Sequence, residues 1–361
     1  MKNKSATKRK ATLAKSVPPK SIENSFVEVL RLIQSARQRA YQAVNTELVR
    51  LYWQIGEYIN LKIISDGWGK STVQALSGYI QKKQPGIRGF SPQNLWRMRQ
   101  FFETYRDQPK LSPLVRVLPW THHLLILSYS KSEEEREFYM RVAAHERWSK
   151  RELERQLRAC FFERSILHPP KVSPVVRELH PEALNLFKNV YALEFLGLPE
   201  DHSEADLHGA LLRNLGRFLT ELGRDFCFVG SEYPIQVGGQ DFALDLLFFH
   251  RGLNCLVAIE LKAARFEPEH LGKLNFYLEA LDRDYRKPHE NSAIGLLLCA
   301  TKDSEVVEYA LSRAMSPAVV AEYRARLPEK RLLKTKLHEF FQRAAQDTKP
   351  ATRARRKAVP R

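Results

Sequence analysis

No glycine-rich phosphate loop of the G-x-x-x-x-G-K-[ST] kind occurs in these 361 residues. ATP hydrolysis and a nucleotide cofactor are therefore not expected. Cysteine is scarce: Cys160, Cys227, Cys255 and Cys299 are scattered, with no C-x-x-C pair. They read as reduced core residues of a cytoplasmic protein, not as disulfides or zinc ligands. No apolar run approaches the roughly 20 residues that span a bilayer. The basic N-terminus also lacks the apolar stretch of a secretory signal, so no membrane partner is expected. Acid is missing from both ends. Residues 1–20 hold seven Lys/Arg and residues 349–361 hold six, neither with an acid, so the net +17 leaves only about +4 for the body. Tails of this kind, 1–20 and 348–361, read as disordered and suited to non-specific phosphate contact.

What remains organises into two parts. Residues 22–64 carry helical apolar spacing, broken at Gly67-Trp68-Gly69. A short helix from about Ser71 to Lys83 is followed by a Pro85–Gly89 turn. Ser91-Pro92 then opens a further helix, with Ser as N-cap and Pro in the first turn. The helix–turn–helix pattern in a basic chain points to DNA contact, with Gln93, Asn94 and Arg97 on the polar side, or to a plain helical bundle. Two S-x-x-E starts, Ser132…Glu135 and Ser149…Glu152, predict two more helices. His122-His123 read as packing or surface residues rather than ligands, and Trp120 and Trp148 as core anchors rather than base-stacking platforms. Pro169, Pro170 and Pro174 suggest a linker over 165–181 between a helical domain, 21–164, and a second domain, 182–347.

The second domain reads as a helix over Glu204–Leu222 ended by Gly223, followed by four short strands, Phe226–Val229, Tyr233–Val237, Phe242–Phe249 and Leu256–Lys262. A helix from Pro268 to Asp284, a strand Ile294–Cys299, a helix Ser304–Met315, a strand Ala318–Val320 and a last helix near 329–345 complete it. Two of the apolar strands carry charge: Asp245 in one, Glu260 and Lys262 in the next. Buried charge is costly unless paired, and alternation puts Glu260 and Lys262 on one face. Two carboxylates and a lysine on a sheet edge can hold a divalent metal, Mg²⁺ or Mn²⁺, for phosphodiester hydrolysis. Asp245, Glu260 and the Leu261 carbonyl would be the ligands, and Lys262 would orient water or stabilise charge. An internal ion pair is the plainer alternative. Lys273 and Tyr277, four apart on the next helix, and Gln240 in the preceding turn are further candidates for nucleic-acid contact.

These strands, with Gly272-Lys-Leu-Asn-Phe-Tyr-Leu278, Pro288-His-Glu-Asn291 and Gly67-Trp-Gly69, carry a resemblance to the YhcG-type family of PD-(D/E)XK nucleases. The resemblance covers most of residues 22–325. It implies an α/β chain (an α+β mixed sheet) with a restriction-endonuclease-like αβββαβ core and an all-α, helix-turn-helix-like N-terminal domain. It further implies Asp245, Glu260 and Lys262 as the catalytic set and DNA as substrate, in repair, recombination or defence. Such enzymes commonly work as homodimers on two strands. The family usually carries a Glu where His208 stands. Either Glu204, one turn earlier, or His208 itself then completes the metal site, or activity is reduced and the chain is a nucleic-acid-binding subunit.

Overall fold

The computed structural model describes residues 20–108, 111–327, 331–333 and 335–339. The basic tails and much of the expected last helix lie outside the described residues. The chain divides into two compact units, residues 1–124 and 125–361.

The first unit is helical. It comprises α1 (Lys20–Asp66), α2 (Lys70–Lys83), α3 (Pro92–Tyr105), α4 (Ser112–Val117) and the start of α5 (Trp120–Tyr129). Ser91 caps α3 by accepting the N–H of Asn94, with Pro92 in the first turn where no donor is needed. Val49, Tyr52 and Ile59 of α1 are buried, as are Leu95, Met98 and Phe101 of α3. The two helices close tightly at Gly56, where a Cβ would fall 2.2 Å from the Met98 carbonyl oxygen. Only glycine permits that approach. His122 and His123 are both buried, and burial takes the His123 imidazole down to about 4.

The second unit opens with α6 (Glu133–His145), α7 (Lys150–Arg158) and α8 (Phe161–Leu167). Ser132 and Ser149 accept the N–H groups of Glu135 and Glu152, as their spacing predicts. The proline-rich stretch 165–181 is not a bare linker. It forms β1 (Lys171–Val172), antiparallel to the last strand, and α9 (Pro174–Leu179), capped by Ser173. Pro174 stands in the first turn of α9, where it favours the helix. Then follow α10 (Ala183–Leu186), β2 (Val190–Ala192), α11 (Glu204–Arg213) and α12 (Leu215–Leu222). Asn214, whose amide bonds the Ala210 carbonyl, divides the single helix expected over Glu204–Leu222.

The sheet strands are β3 (Phe226–Val237), β4 (Gln240–His250), β5 (Cys255–Arg265), β6 (Asn291–Thr301) and β7 (Ala318–Arg324). Helices α13 (His270–Ala280) and α14 (Ser304–Ser312) lie between β5 and β6 and between β6 and β7. The seven strands are ordered β1-β7-β6-β5-β4-β3, with β2 also on β7. β3, β4 and β5 form an antiparallel meander; β5, β6 and β7 are parallel. The order from α12 through β6 is αβββαβ. The two strands expected between 226 and 237 are one, kept continuous by a bulge between Phe228 and Gly230. One face of the sheet packs Phe218, Leu222, Phe248 and Ile259 together; the other packs Leu244, Ala258, Leu274 and Tyr277. Cys160, Cys255 and Cys299 are buried, but Cys227 is exposed on β3, at the sheet edge, against the expectation of a core position.

Candidate active site

The site lies where two strands part. β4 and β5 pair from His250↔Cys255 to Leu246↔Ile259, and there the ladder stops. The next pair in that register would be Asp245 and Glu260. β4 turns over at this point. Leu246 and Phe248 belong to one core, whereas Leu244 belongs to the opposite one. Strict alternation would keep all three on one face. Across from Asp245 on β3, Glu232 has φ +46°, a left-handed backbone that rotates the hairpin. Released from the ladder, Asp245 uses its side chain instead: Oδ2 accepts the N–H of Leu261 at 2.8 Å. The N–H and C=O of one strand residue point to the same edge, so the Leu261 carbonyl also faces Asp245.

Glu260 is fully buried. Its Oε1 lies 2.6 Å from the Lys273 ammonium and 3.3 Å from that of Lys262. Its Oε2 has no hydrogen-bond partner among the described residues. Burial, and then the charge of Asp245, hold the Glu260 carboxyl above its ordinary value; Lys273 and Lys262 oppose this. Burial works against the Lys273 ammonium, but the hydrogen bond and charge of Glu260 outweigh it and raise its pKa. The two groups respond differently because Glu260 is enclosed and Lys273 is half exposed.

Lys262 bridges outward. Its Nζ is 3.1 Å from Glu204 Oε2 at the start of α11, so Glu204 reaches the site one turn from His208. His208 Nε2 donates to the backbone carbonyl of Asp245 at 3.2 Å and so touches the strand rather than a carboxylate. Ser203 fixes the start of α11 through a reciprocal cap with Asp206.

Not every expected residue joins this cluster. The hydroxyl of Tyr277, a buried side chain, donates to the Ala243 carbonyl at 2.8 Å and braces the turned strand; it does not face a phosphate. Burial raises its pKa. Gln240 sits at the Gly238-Gly239 turn, roughly 17 Å along β4 from Asp245 at strand rise. In the first unit, Asn94 is committed internally, donating to the Gly89 carbonyl and accepting from Trp120 Nε1. Gln93 is exposed and Arg97 half-buried.

A second charged cluster has no counterpart in the expectations. Glu221 on α12 is fully buried and meets Arg155 of α7, Arg164 of α8 and Lys188. It also accepts from Gln156 and from the Ala192 N–H. Three residues after Phe218, Glu221 lies on the buried side of its helix, and that spacing is the signal that would have found it.

The site's residues suit a divalent cation. A buried carboxylate with an orphaned oxygen stands beside a second carboxylate, and burial, then the charge of Asp245, raise the pKa of Glu260. A cation relieves both. Among the described residues no set of three or more His, Cys, Asp or Glu side chains is placed to hold a metal.

A helix, three antiparallel strands, a helix and a parallel strand, with an acid pair and a lysine where the central strands part, define a PD-(D/E)XK nuclease domain of restriction-endonuclease-like fold. Residues 184–338 match the YhcG PDDEXK nuclease domain and residues 28–164 match the DUF1016 N-terminal domain. The chain belongs to the YhcG family. It is 30% identical over 347 residues, 86% of this chain and 92% of the other, to YhcG of Escherichia coli (strain K12), itself named only as a candidate nuclease. Two solved structures overlap in part. One is a repair endonuclease from Pyrococcus abyssi (20% identity, 36% of this chain, TM-score 0.24). The other is EndoMS in apo form (21% identity, 37% of this chain, TM-score 0.23). The chain spans about half, 49%, of each. Among the described residues no helix is long and apolar enough to cross a membrane.

Proposed function

We propose that this chain hydrolyses phosphodiester bonds in DNA with a divalent metal, Mg²⁺ or Mn²⁺, and acts in repair, recombination or defence against foreign DNA. The observation that carries the reading is the buried Glu260 carboxylate, whose Oε1 meets two ammonium groups while its Oε2 has no hydrogen-bond partner among the described residues. Asp245, Glu260 and the Leu261 carbonyl would hold the metal, which supplies charge neutralisation and an activated water when bound. Lys262, held by Glu204 and Glu260, would orient the attacking water and stabilise negative charge on the phosphate. Lys273, bonded to Glu260 Oε1, opposes the effect of burial on that carboxyl. Asp245 in turn fixes the Leu261 backbone. The helical N-terminal unit would bind DNA or a partner, with Gln93 and Arg97 as its available polar groups. A homodimer would bring two such sites to two strands.

Incubation of supercoiled and branched DNA with Mg²⁺ or Mn²⁺, beside an Asp245→Ala control, tests the reading. Metal-dependent nicking by the wild type alone is expected. Equal nicking by both proteins, or by neither, rejects it.

A second reading has its own observation. His208 stands where the family usually carries a glutamate, and its ring bonds a backbone carbonyl rather than a carboxylate. On this reading the chain is a DNA-binding subunit of an assembly with weakened cleavage. Salt-sensitive DNA binding unchanged by Asp245→Ala, with no metal dependence, would favour it.

A further inference from the structure

Every residue of α1 from Phe26 to Val44 is exposed. Among the described residues this stretch of helix gains no covering from its own copy, although most helical stability in proteins comes from a covered apolar face. Its apolar residues nonetheless follow a heptad. Leu30, Val44, Leu51 and Tyr58 recur at multiples of seven, and Phe26, Ile33, Ala40 and Leu61 form the companion series three residues out of step. This is the a/d spacing of a coiled-coil seam, sustained over five heptads. The large members of the seam are 41–66% exposed.

The C-terminal half of the same seam borders an unfilled apolar groove. Leu51, Gln54 and Tyr58 of α1, with Leu76, Tyr79 and Ile80 of α2, line a volume of about 480 Å³. Tyr79 is 61% exposed beside it. The molecule thus displays an apolar helix and a groove shaped for one, on a single continuous stripe.

We propose that two copies of this chain associate through α1 as an antiparallel coiled coil with its two-fold axis at Gln42. In that register each a position of one copy meets a d position of the other: Tyr58 on Phe26, Leu51 on Ile33, Val44 on Ala40. The one basic residue of the seam, Arg37, meets the one acidic residue, Glu47. Phe26, Leu30 and Ile33 of each copy enter the groove of its partner. A parallel, in-register pair would instead set Arg37 against Arg37 and Glu47 against Glu47, which charge repulsion disfavours. At roughly 100 Å² for each half-exposed large side chain, the seam and Tyr79 offer roughly 800 Å² per copy, the standard size of a stable interface. The contact is isologous, so it closes as a dimer. Such a dimer stands apart from the nuclease reading, although it would deliver paired sites.

The test is the mass of the full chain in DNA-free solution at micromolar concentration, by analytical ultracentrifugation. A particle of twice 41.9 kDa is expected. Leu30→Glu with Ile33→Glu should give a monomer with unchanged circular dichroism outside a loss at α1; both exchanged side chains are on the exposed stripe, so the core is untouched. Arg37→Glu alone and Glu47→Arg alone should each weaken the dimer by at least about tenfold in Kd. The two together should restore it. They lie about 15 Å apart along one helix at its rise per residue, so only a partner copy can reunite them. A monomeric wild type overturns the proposal. So does a dimer that survives Leu30→Glu with Ile33→Glu, and a failed restoration overturns the antiparallel register.

Discussion

The Lys273 ammonium stands 2.6 Å from Glu260 Oε1, yet the second oxygen of that carboxylate has no partner among the described residues. Glu260 is therefore half satisfied, and its proton affinity is raised chiefly by burial. A group that binds its proton more tightly in the folded state favours the fold below its unfolded value near 4.5 and loses that increment as pH rises through the raised value. Without metal, Glu260→Gln should thus be at least as stable as the wild type at pH 7, by about 1.4 kcal/mol for each tenfold gain in proton affinity on folding. The difference should vanish toward pH 4. With Mg²⁺ at a hundredfold excess over Kd the wild type should gain about 2.7 kcal/mol and the variant nothing. Thermal unfolding at the two pH values, with and without Mg²⁺, measures both; a variant that is stabilised by metal contradicts the assignment of Glu260.

Asp245 has a structural duty that can be separated from its charge. It accepts the Leu261 N–H at 2.8 Å. Asp245→Asn keeps an acceptor and removes the charge, so stability should stay within about 0.5 kcal/mol of wild type while cleavage is lost. Asp245→Ala strands the Leu261 N–H and should cost a further 1–2 kcal/mol, roughly the penalty for an unsatisfied donor. Urea unfolding beside a nicking assay distinguishes the two. Equal stabilities would mean that the Leu261 N–H finds another partner.

The apolar strands around Asp245, Glu260 and Lys262 were legible because alternation and buried charge are local signals. The turn-over of β4 was not. It depends on the left-handed φ of Glu232, which no glycine announces, and on loss of pairing between strands that only the fold aligns. Residues 165–181 misled for a related reason. Their three prolines read as a break, but Lys171 and Val172 pair with Val320 and Val319, nearly 150 residues on, where sequence spacing carries no information. Asn94 looked available because its helix position is polar-facing by spacing, and Tyr277 because it stands four residues from Lys273, with a core aromatic as the alternative; the carbonyls they bond, Gly89 and Ala243, come from other segments.

Lys262 and Glu204 should separate by kind of defect. Lys262→Met removes the cation proposed to act on the reacting phosphate and should lower kcat on the order of 10²–10³-fold, with metal affinity retained. Glu204→Gln leaves Lys262 its bond to Glu260 at 3.3 Å and should cost less. His208→Glu, which restores the family's usual side chain beside Asp245, should tighten Mg²⁺ binding if that position reaches the metal. Isothermal titration with Mg²⁺ together with single-turnover cleavage reads all three. A fall in metal affinity for Lys262→Met, or a larger kcat loss in Glu204→Gln, would reverse the assigned roles.

Glu221 should contribute to the acid stability of the second unit. Burial alone would raise its carboxyl, but Lys188, Arg155 and Arg164 overcome it and bring it to about 2, from 4.5. A depressed folded value contributes stability that is present above pH 4.5 and lost as pH falls toward 2, on the order of 3 kcal/mol. Glu221→Gln should remove that increment at pH 7 and flatten the acid limb of the stability curve. Glu221→Ala should be worse, by 3–5 kcal/mol, roughly the cost of leaving buried cations unpaired, because Arg164 and Lys188 have little exposure through which to reach water. Glu221 meets Arg155, Arg164, Lys188, Gln156 and Ala192, none of them in the Asp245–Glu260 cluster, so metal-induced stabilisation should survive in Glu221→Gln. Chemical unfolding between pH 3 and pH 7 decides it, and an acid limb unchanged by Glu221→Gln would assign acid sensitivity to other carboxylates.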